Sequence, residues 1–322
     1  MKVLITGILG FIGSNLAEKL VDNGDEVYGL VRRVASRNIE SVGKFLKDIT
    51  LLTGDITDYT STRNVMQSIN PDIVVHLAAL SPVRDSFERP FEYQQANHIG
   101  TMNVAYSILE LPDAQTRRML AASTAEVYGL QEGRPLKESL ALKPSSPYAV
   151  SKAAGDLYLQ MMFYTYGLHG TVMRPANSYG RKFDKSFLVE YLITQMLAGE
   201  TVYIGAPDSV RDYMHVDDHI NAYFLAIKNP KEADCQIFNV GTGIGVSNKE
   251  LSQLIADKIG YDRKKIKFGS YPPGYPFRPA ISDQPYIVLD STKINKILKW
   301  SPKVNLSEGL DRVIAYFKGK QR

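Results

Sequence analysis

A chain of 322 residues that is 44% hydrophobic and 22% charged, with a net charge of +4, has the composition of an ordinary globular protein built as one large domain or two. Its single cysteine, Cys235, excludes an internal disulfide and a cysteine-based zinc cluster, and it fits a reducing compartment such as the cytoplasm. No apolar run approaches the ~18 residues of a membrane span; the scattered Lys and Arg suit a phosphorylated small molecule, with nucleic acid an unforced alternative.

The chain opens on "MKVLITGILGFIG", which starts like an export signal, but three glycines interrupt the run and no small-residue cleavage site follows. Strand-like runs lie at 2–6, 26–31, 49–53, 72–78, 118–123 and 170–175, with helical stretches such as 11–23 and 59–68 between them. That alternation predicts an α/β fold, a doubly wound parallel sheet with helices on both faces. From about residue 176 the pattern loosens, and a Pro/Gly-rich loop, "SYPPGYPFRP", occupies 270–279. We expect a Rossmann-type domain over 1–175 and a smaller α/β domain over 176–322 that binds substrate, with segments near 213–242 returning to the first.

Gly7, Gly10 and Gly13 close the first strand and open a helix. The first glycine permits a tight turn, the second admits a pyrophosphate to the backbone, and the third lets helix and strand pack closely, so a dinucleotide is expected there. The second strand ends in "VRRVASRN" with no carboxylate to take a ribose 2′-OH. Arg32 and Arg33 suit a 2′-phosphate, hence NADP with NAD as the alternative, unless they are merely solvated loop cations. Asp55, after the third strand, reaches toward the adenine or serves as a turn aspartate.

"SPYAVSK" puts Tyr148 and Lys152 four residues apart, on one helix face. A nearby positive charge, from Lys152 and a nicotinamide ring, is expected to lower the phenol pKa and make Tyr148 a usable base. "ASTAEVYG" (122–129) adds the Thr124 hydroxyl and the Glu126 carboxylate, with Ala125 between them. His76 ends the fourth strand and reads as a structural histidine near the cofactor backbone. "HVDDH" (215–219) looks like a metal cluster but fits a strand-to-helix junction with Asp217 or Asp218 near a helix start, and no metal is expected.

The motifs "TGILGFIG", "HLAALSPV", "NHIGTMN", "STAEVYG" and "YAVSK", continued by "RPANSYG" (174–180), "RDYMHVDD" (211–218), "FNVGTG" (238–243) and "LKWSPKV" (298–304), resemble the extended short-chain dehydrogenase/reductase family, specifically its nucleotide-sugar dehydratases and epimerases. "VRRVASRN" and "AASTAEVYG" most resemble the GDP-mannose 4,6-dehydratase branch, which uses NADP and usually carries serine where this chain has Ala125. The resemblance implies further cofactor contacts at Phe11, Ile12, Ile56, Leu77, Ala78 and Ala79. It implies a nucleotide-diphosphate sugar held by Ser81, Arg84, Thr124, Asn177, Arg211 and Arg278. "RKFDKSFLVEYL" departs from the family pattern where the nucleotide pocket is framed.

The resemblance also implies a chemistry. Tyr148 takes the proton of a sugar hydroxyl, normally at C4, as hydride passes to the nicotinamide and a 4-keto sugar forms. A dehydratase then uses a glutamate, here Glu126, to remove the C5 proton while water leaves from C6. A 4-epimerase instead returns the hydride to the other face of the sugar. Glu126 favours the dehydratase and Ala125 the epimerase; reductase, decarboxylase and non-catalytic NADP-binding regulator are the remaining readings, and an exposed ion-pair role for Glu126 is the plain alternative. The helix after "ANHIGT" and the one carrying Tyr148 are expected to build a homodimer through a four-helix bundle, with a tetramer as a larger assembly.

Overall fold

The computed structural model describes residues 1–32, 37–131, 135–182, 184–272, 274, 279 and 282–320. Arg33 and Arg278, two of the expected ligands, lie outside the described residues. The first half alternates as expected: β1 Lys2–Thr6, α1 Phe11–Asp22, β2 Glu26–Val31, β3 Ile49–Thr53, α2 Tyr59–Ile69, β4 Ile73–His76, α3 Pro90–Tyr93, α4 Gly100–Leu109, β5 Arg118–Ala122, α5 Pro147–Thr165 and β6 His169–Pro175. The second half carries β7 Asn177–Tyr179, α6 Leu188–Leu197, β8 Val202–Ile204, β9 Val210–His215, α7 Val216–Lys228, α8 Pro230–Ala233, β10 Gln236–Val240, β11 Gly245–Ser247, α9 Asn248–Ile259, β12 Ile266–Phe268, β13 Tyr286–Ile287, α10 Thr292–Leu298 and α11 Leu306–Lys320.

Seven strands form one parallel sheet in the order β10-β6-β5-β4-β1-β2-β3, with Ile5 of β1 between Gly29 and Val75. Both faces are covered, which is why β4 reads as an unbroken apolar run and is buried throughout. Leu16, Ala17 and Leu20 of α1 pack with Ile220 and Tyr223 of α7 on one face. Val65, Val104, Leu159 and Phe163, from α2, α4 and α5, fill the other. The chain order reverses between β4 and β1, and a crevice outside the strand C-termini at such a reversal is where this architecture takes its ligands.

β4 ends two residues before the sequence pattern suggests. The Leu77 N–H still donates to the Thr6 carbonyl at 3.1 Å, and beyond it the Ala78 N–H turns to the Thr6 hydroxyl at 3.2 Å. A second, smaller sheet runs β11-β9-β13 with β7 on β9, and α6, α9 and α11 share a separate core that includes Leu192, Ile255 and Ile314. Among the described residues no helix is long and apolar enough to cross a membrane.

Candidate active site

One cavity of about 640 Å³ opens between the C-terminal edge of the large sheet and the smaller sheet. At one end lies the glycine turn. Gly7 adopts φ +74°, and a Cβ there would stand 2.7 Å from the Ala78 nitrogen. A Cβ on Gly13 would fall 2.2 Å from the Gly7 carbonyl oxygen, so a side chain at Gly7 would strike the backbone after β4 and one at Gly13 would push α1 off the turn. Gly10 caps α1 without any side-chain hydrogen bond, leaving the first-turn N–H groups for a ligand. Gly7, Gly10, Phe11, Ile12 and Gly13 all line the cavity, as do Leu77 and Ala79. This close-approach turn and uncapped helix end suit a dinucleotide pyrophosphate.

Other expected cofactor residues lie off that wall. Arg32 is exposed just beyond β2. Asp55 Oδ1 accepts from the Thr57 N–H at 2.9 Å and hydroxyl at 2.8 Å, which makes it a turn aspartate. Ile56 is buried against Gly100, and Ala78 packs under the glycine turn. His76 bridges Thr6 Oγ1 (2.8 Å) and Thr101 Oγ1 (3.1 Å), and burial pulls its pKa down to about 3, so it is a neutral strut between β4, β1 and α4.

At the reactive end, Ser146 caps α5 by accepting from the Ala149 N–H, and this start fixes the register that turns Tyr148 and Lys152 inward. Both side chains are buried and line the cavity. The charge argument from sequence needs correction. Burial is the dominant influence on Tyr148 and pushes its pKa up to about 12; the Thr124 hydrogen bond and the Arg181 charge work against that, and Glu126 adds to it. Lys152, its own pKa brought down to about 8 by burial, donates to the Ala122 carbonyl.

Thr124 caps a short 3₁₀ turn over Ala125–Tyr128, accepting from the Glu126 N–H at 3.2 Å. Gly129 ends it at φ +60°, where a Cβ would sit 1.5 Å from the Lys143 carbonyl oxygen, so only glycine closes "AEVYG". Tyr128 anchors the turn by donating to Asn239 Oδ1 (2.6 Å) and accepting from Arg174, which also grips Asp156 of α5 through two bonds of 2.8 and 3.0 Å. Glu126 faces the cavity, and Gln284 Nε2 donates to its Oε2 at 2.9 Å and to its main-chain oxygen at 3.2 Å. Ala125 lines the same cavity while packing in a cluster with Ala153 and Ala176.

The substrate end collects Ser81, Arg84, Asn177 and Arg211 on the cavity wall. Asn97 holds the loop before Ser81, accepting from the Leu80 N–H at 2.8 Å and donating to its carbonyl at 3.0 Å. Arg84 pairs with Asp85 at 3.1 Å, and Arg211, in the middle of the small sheet, donates to the Val210 carbonyl at 3.0 Å.

Four further residues bear on the site, of which the sequence raised only His219, as the end of "HVDDH". Gln284 is fully buried beside Glu126. Arg181 lies between the rings of Phe11 and Phe187, at 4.4 and 3.6 Å, and 3.8 Å from the Glu190 carboxylate. His219 accepts or donates with Ser178 Oγ at 2.6 Å, and Tyr223 sits one turn further along α7. Only the break in pattern at "RKFDKSFLVEYL" hinted at Arg181. In "HVDDH" the side chains diverge: Asp218 accepts from the N–H groups of Lys303 (2.8 Å) and Val304 (2.9 Å), and among the described residues no His, Cys, Asp and Glu group is arranged to hold a metal ion.

Comparison with known proteins agrees with this geometry. The family model described as GDP-mannose 4,6 dehydratase matches residues 4–313. A UDP-glucose 4-epimerase of Mycolicibacterium smegmatis is 32% identical over 329 residues, covering 100% of both chains. The crystal structure of the Thermotoga maritima UDP-glucose 4-epimerase with UDP-glucose superposes with a TM-score of 0.89 at 30% identity, covering 100% of each chain. DesIV, a dTDP-glucose 4,6-dehydratase of Streptomyces venezuelae solved with NAD bound, gives 0.88 at 28% identity, covering 100% of this chain and 98% of its own. With its glycine turn, its Tyr148–Lys152 helix and this full-length match, the chain belongs to the extended short-chain dehydrogenase/reductase family of NAD(P)-dependent nucleotide-sugar epimerases and 4,6-dehydratases.

Proposed function

We propose that this enzyme is a nucleotide-sugar 4,6-dehydratase of the GDP-mannose type. The observation that carries the reading is Glu126, whose carboxylate lines the same cavity as Tyr148 and close enough to raise its pKa. The glycine turn and the N-terminus of α1 hold the cofactor's pyrophosphate, with Leu77 and Ala79 along its length. Arg32 favours NADP over NAD, with Arg33 beside it in sequence. A bound nicotinamide would supply reversible hydride transfer, from C4 and later to C6, the carbon that loses its hydroxyl, with a proton returned to C5.

The chain's own groups supply the rest. Tyr148 takes the proton of the C4 hydroxyl, and Thr124 holds the same oxygen. The nearby cation Arg181 offsets part of the cost of a buried phenolate, and Lys152 adds its charge once it turns from the Ala122 carbonyl. The new C4 ketone acidifies C5–H, and Glu126 removes that proton. With alanine at 125, one carboxyl group serves twice, returning the proton to the leaving C6 oxygen. Ser81 and Arg84 face the sugar, while Asn177, Arg211 and Arg278 serve the diphosphate and nucleotide.

Ala125 favours a second reading, a nucleotide-sugar 4-epimerase, in which Glu126 stands aside and the 4-keto sugar turns over before reduction. Incubation with a panel of GDP-, UDP- and dTDP-hexoses separates the two. Loss of one water by mass supports the dehydratase; unchanged mass with altered proton couplings sinks it in favour of the epimerase. Dissociation constants for the two cofactors test Arg32, and NAD bound as tightly as NADP would remove its role. The exposed Val150, Leu157 and Tyr164 on α5 support a homodimer through α4 and α5. A monomer by light scattering at micromolar concentration would refute it.

A further inference from the structure

Three buried polar atoms on the cavity wall lack a hydrogen-bond partner among the described residues: Ser123 Oγ, His219 Nε2 and Tyr223 Oη. Their residues are 6%, 3% and 0% exposed. An unpaired polar atom at that depth costs more than one exposed to water, so such groups are retained where a ligand satisfies them. These are not scattered. His219 and Tyr223 stand one helical turn apart on α7 with ring centroids 4.7 Å apart, and Ser123 follows β5 directly, next to Thr124.

The position of α7 says which ligand they face. It packs against α1 on one face of the large sheet, and Phe11 and Ile12 of the glycine turn pack onto that core. Ser81 and Arg84 reach the cavity from the loop after β4, and Tyr148 from α5 on the opposite face. The orphaned atoms of α7 therefore stand on the side of the glycine turn. We propose that Ser123, His219 and Tyr223 form a seat for the carboxamide of the cofactor's nicotinamide ring, which rests on the NAD(P) reading above.

A primary amide is the group that fits this trio. His219 is uncharged, because burial pulls its pKa down to about 3. Its Nδ1 faces the Ser178 hydroxyl at 2.6 Å, so Nε2 is a donor or an acceptor according to which of the two carries the shared proton. Tyr223 and Ser123 bring hydroxyls. A carboxamide carries two donors and one acceptor oxygen, so it pairs with either tautomer of His219 and with both hydroxyls. Holding the amide fixes the rotation of the ring, and with it the ring face turned toward Tyr148. His219 and Tyr223 are thus cofactor-binding residues that orient the reaction.

The test is binding. Affinities for NADP and NAD, and for the same dinucleotides cut back to their ADP-ribose portions, are measured by calorimetry on the wild type, Tyr223→Phe and His219→Leu. The seat predicts that each variant binds the intact dinucleotides about tenfold more weakly, the worth of one neutral hydrogen bond, and binds the ADP-ribose portions as the wild type does. An equal loss for both ligand types would mean a packing defect and would overturn the proposal, as would no loss for either. Should His219→Leu fail to fold, Tyr223→Phe, which deletes one oxygen and keeps the ring, carries the test alone. Wild-type protein that binds neither ligand type would overturn the cofactor reading itself, an outcome distinct from failure of the seat.

Discussion

The two halves of the reactive end are built differently. Tyr148 and Lys152 stand on a 19-residue helix, buried, with their spacing set by helical geometry and their register by the Ser146 cap. Glu126 stands on a four-residue 3₁₀ turn whose position depends on Thr124 at its start, Gly129 at its end and the Tyr128–Asn239–Arg174 network beneath. Its carboxylate is steered by Gln284, 158 residues later in the chain. The Tyr148–Lys152 pair is a local feature carried whole by one helix; the Glu126 carboxylate is placed by distant segments.

The largest expected effect falls on the helix. Tyr148→Phe removes the base of the first step, and general-base removal costs about 10²–10⁴-fold. Single-turnover absorbance of the reduced cofactor should show no C4 oxidation, with cofactor affinity intact; normal oxidation by this variant would end the comparison, since neither half would then contain the base.

Next comes the tether of the turn. Gln284→Leu removes an N–H donor to a carboxylate, a bond worth about 1.5–3 kcal/mol, so elimination should slow by about tenfold or more while C4 oxidation keeps its rate. Equal slowing of both steps would show that the two halves are not separable.

Arg181→Met should act on the helix half only. Arg181 favours the phenolate, so its loss raises the Tyr148 pKa further and moves the pH–rate profile of the oxidation step upward. A profile that shifts downward, or does not move, would contradict the assignment. The smallest effect belongs to Ala125→Ser. One added hydrogen bond contributes about 1 kcal/mol, so turnover should stay the same or rise by at most about tenfold, read from steady-state kinetics. A fall of that size would mean the alanine is there for its packing beside Ala153 and Ala176.

The sequence carried the local half of this site and much of the scaffold. Six strand runs were legible because strands of a sheet covered on both faces are mostly apolar, and Gly7, Gly10 and Gly13 because their spacing answers one steric need. The end of β4 was not, since it depends on the Thr6 hydroxyl of a neighbouring strand taking the Ala78 N–H. Gln284, Arg181 and Tyr223 were missed, and His219 was read only as the end of "HVDDH", for the same reason: each meets its neighbours far away in the chain. The direction of the Tyr148 shift was misread because a charge four residues away is visible in a sequence and the depth of burial is not.

The measurement that tests the central claim most directly is solvent deuterium incorporation at C5 by Glu126→Gln, followed by NMR alongside cofactor reduction with the substrate picked out by the hexose panel. The account predicts that the variant still oxidises C4 but neither exchanges the C5 proton nor loses water. Full turnover and undiminished C5 exchange in Glu126→Gln would contradict it, and Ala125 would then mark the chain as an epimerase.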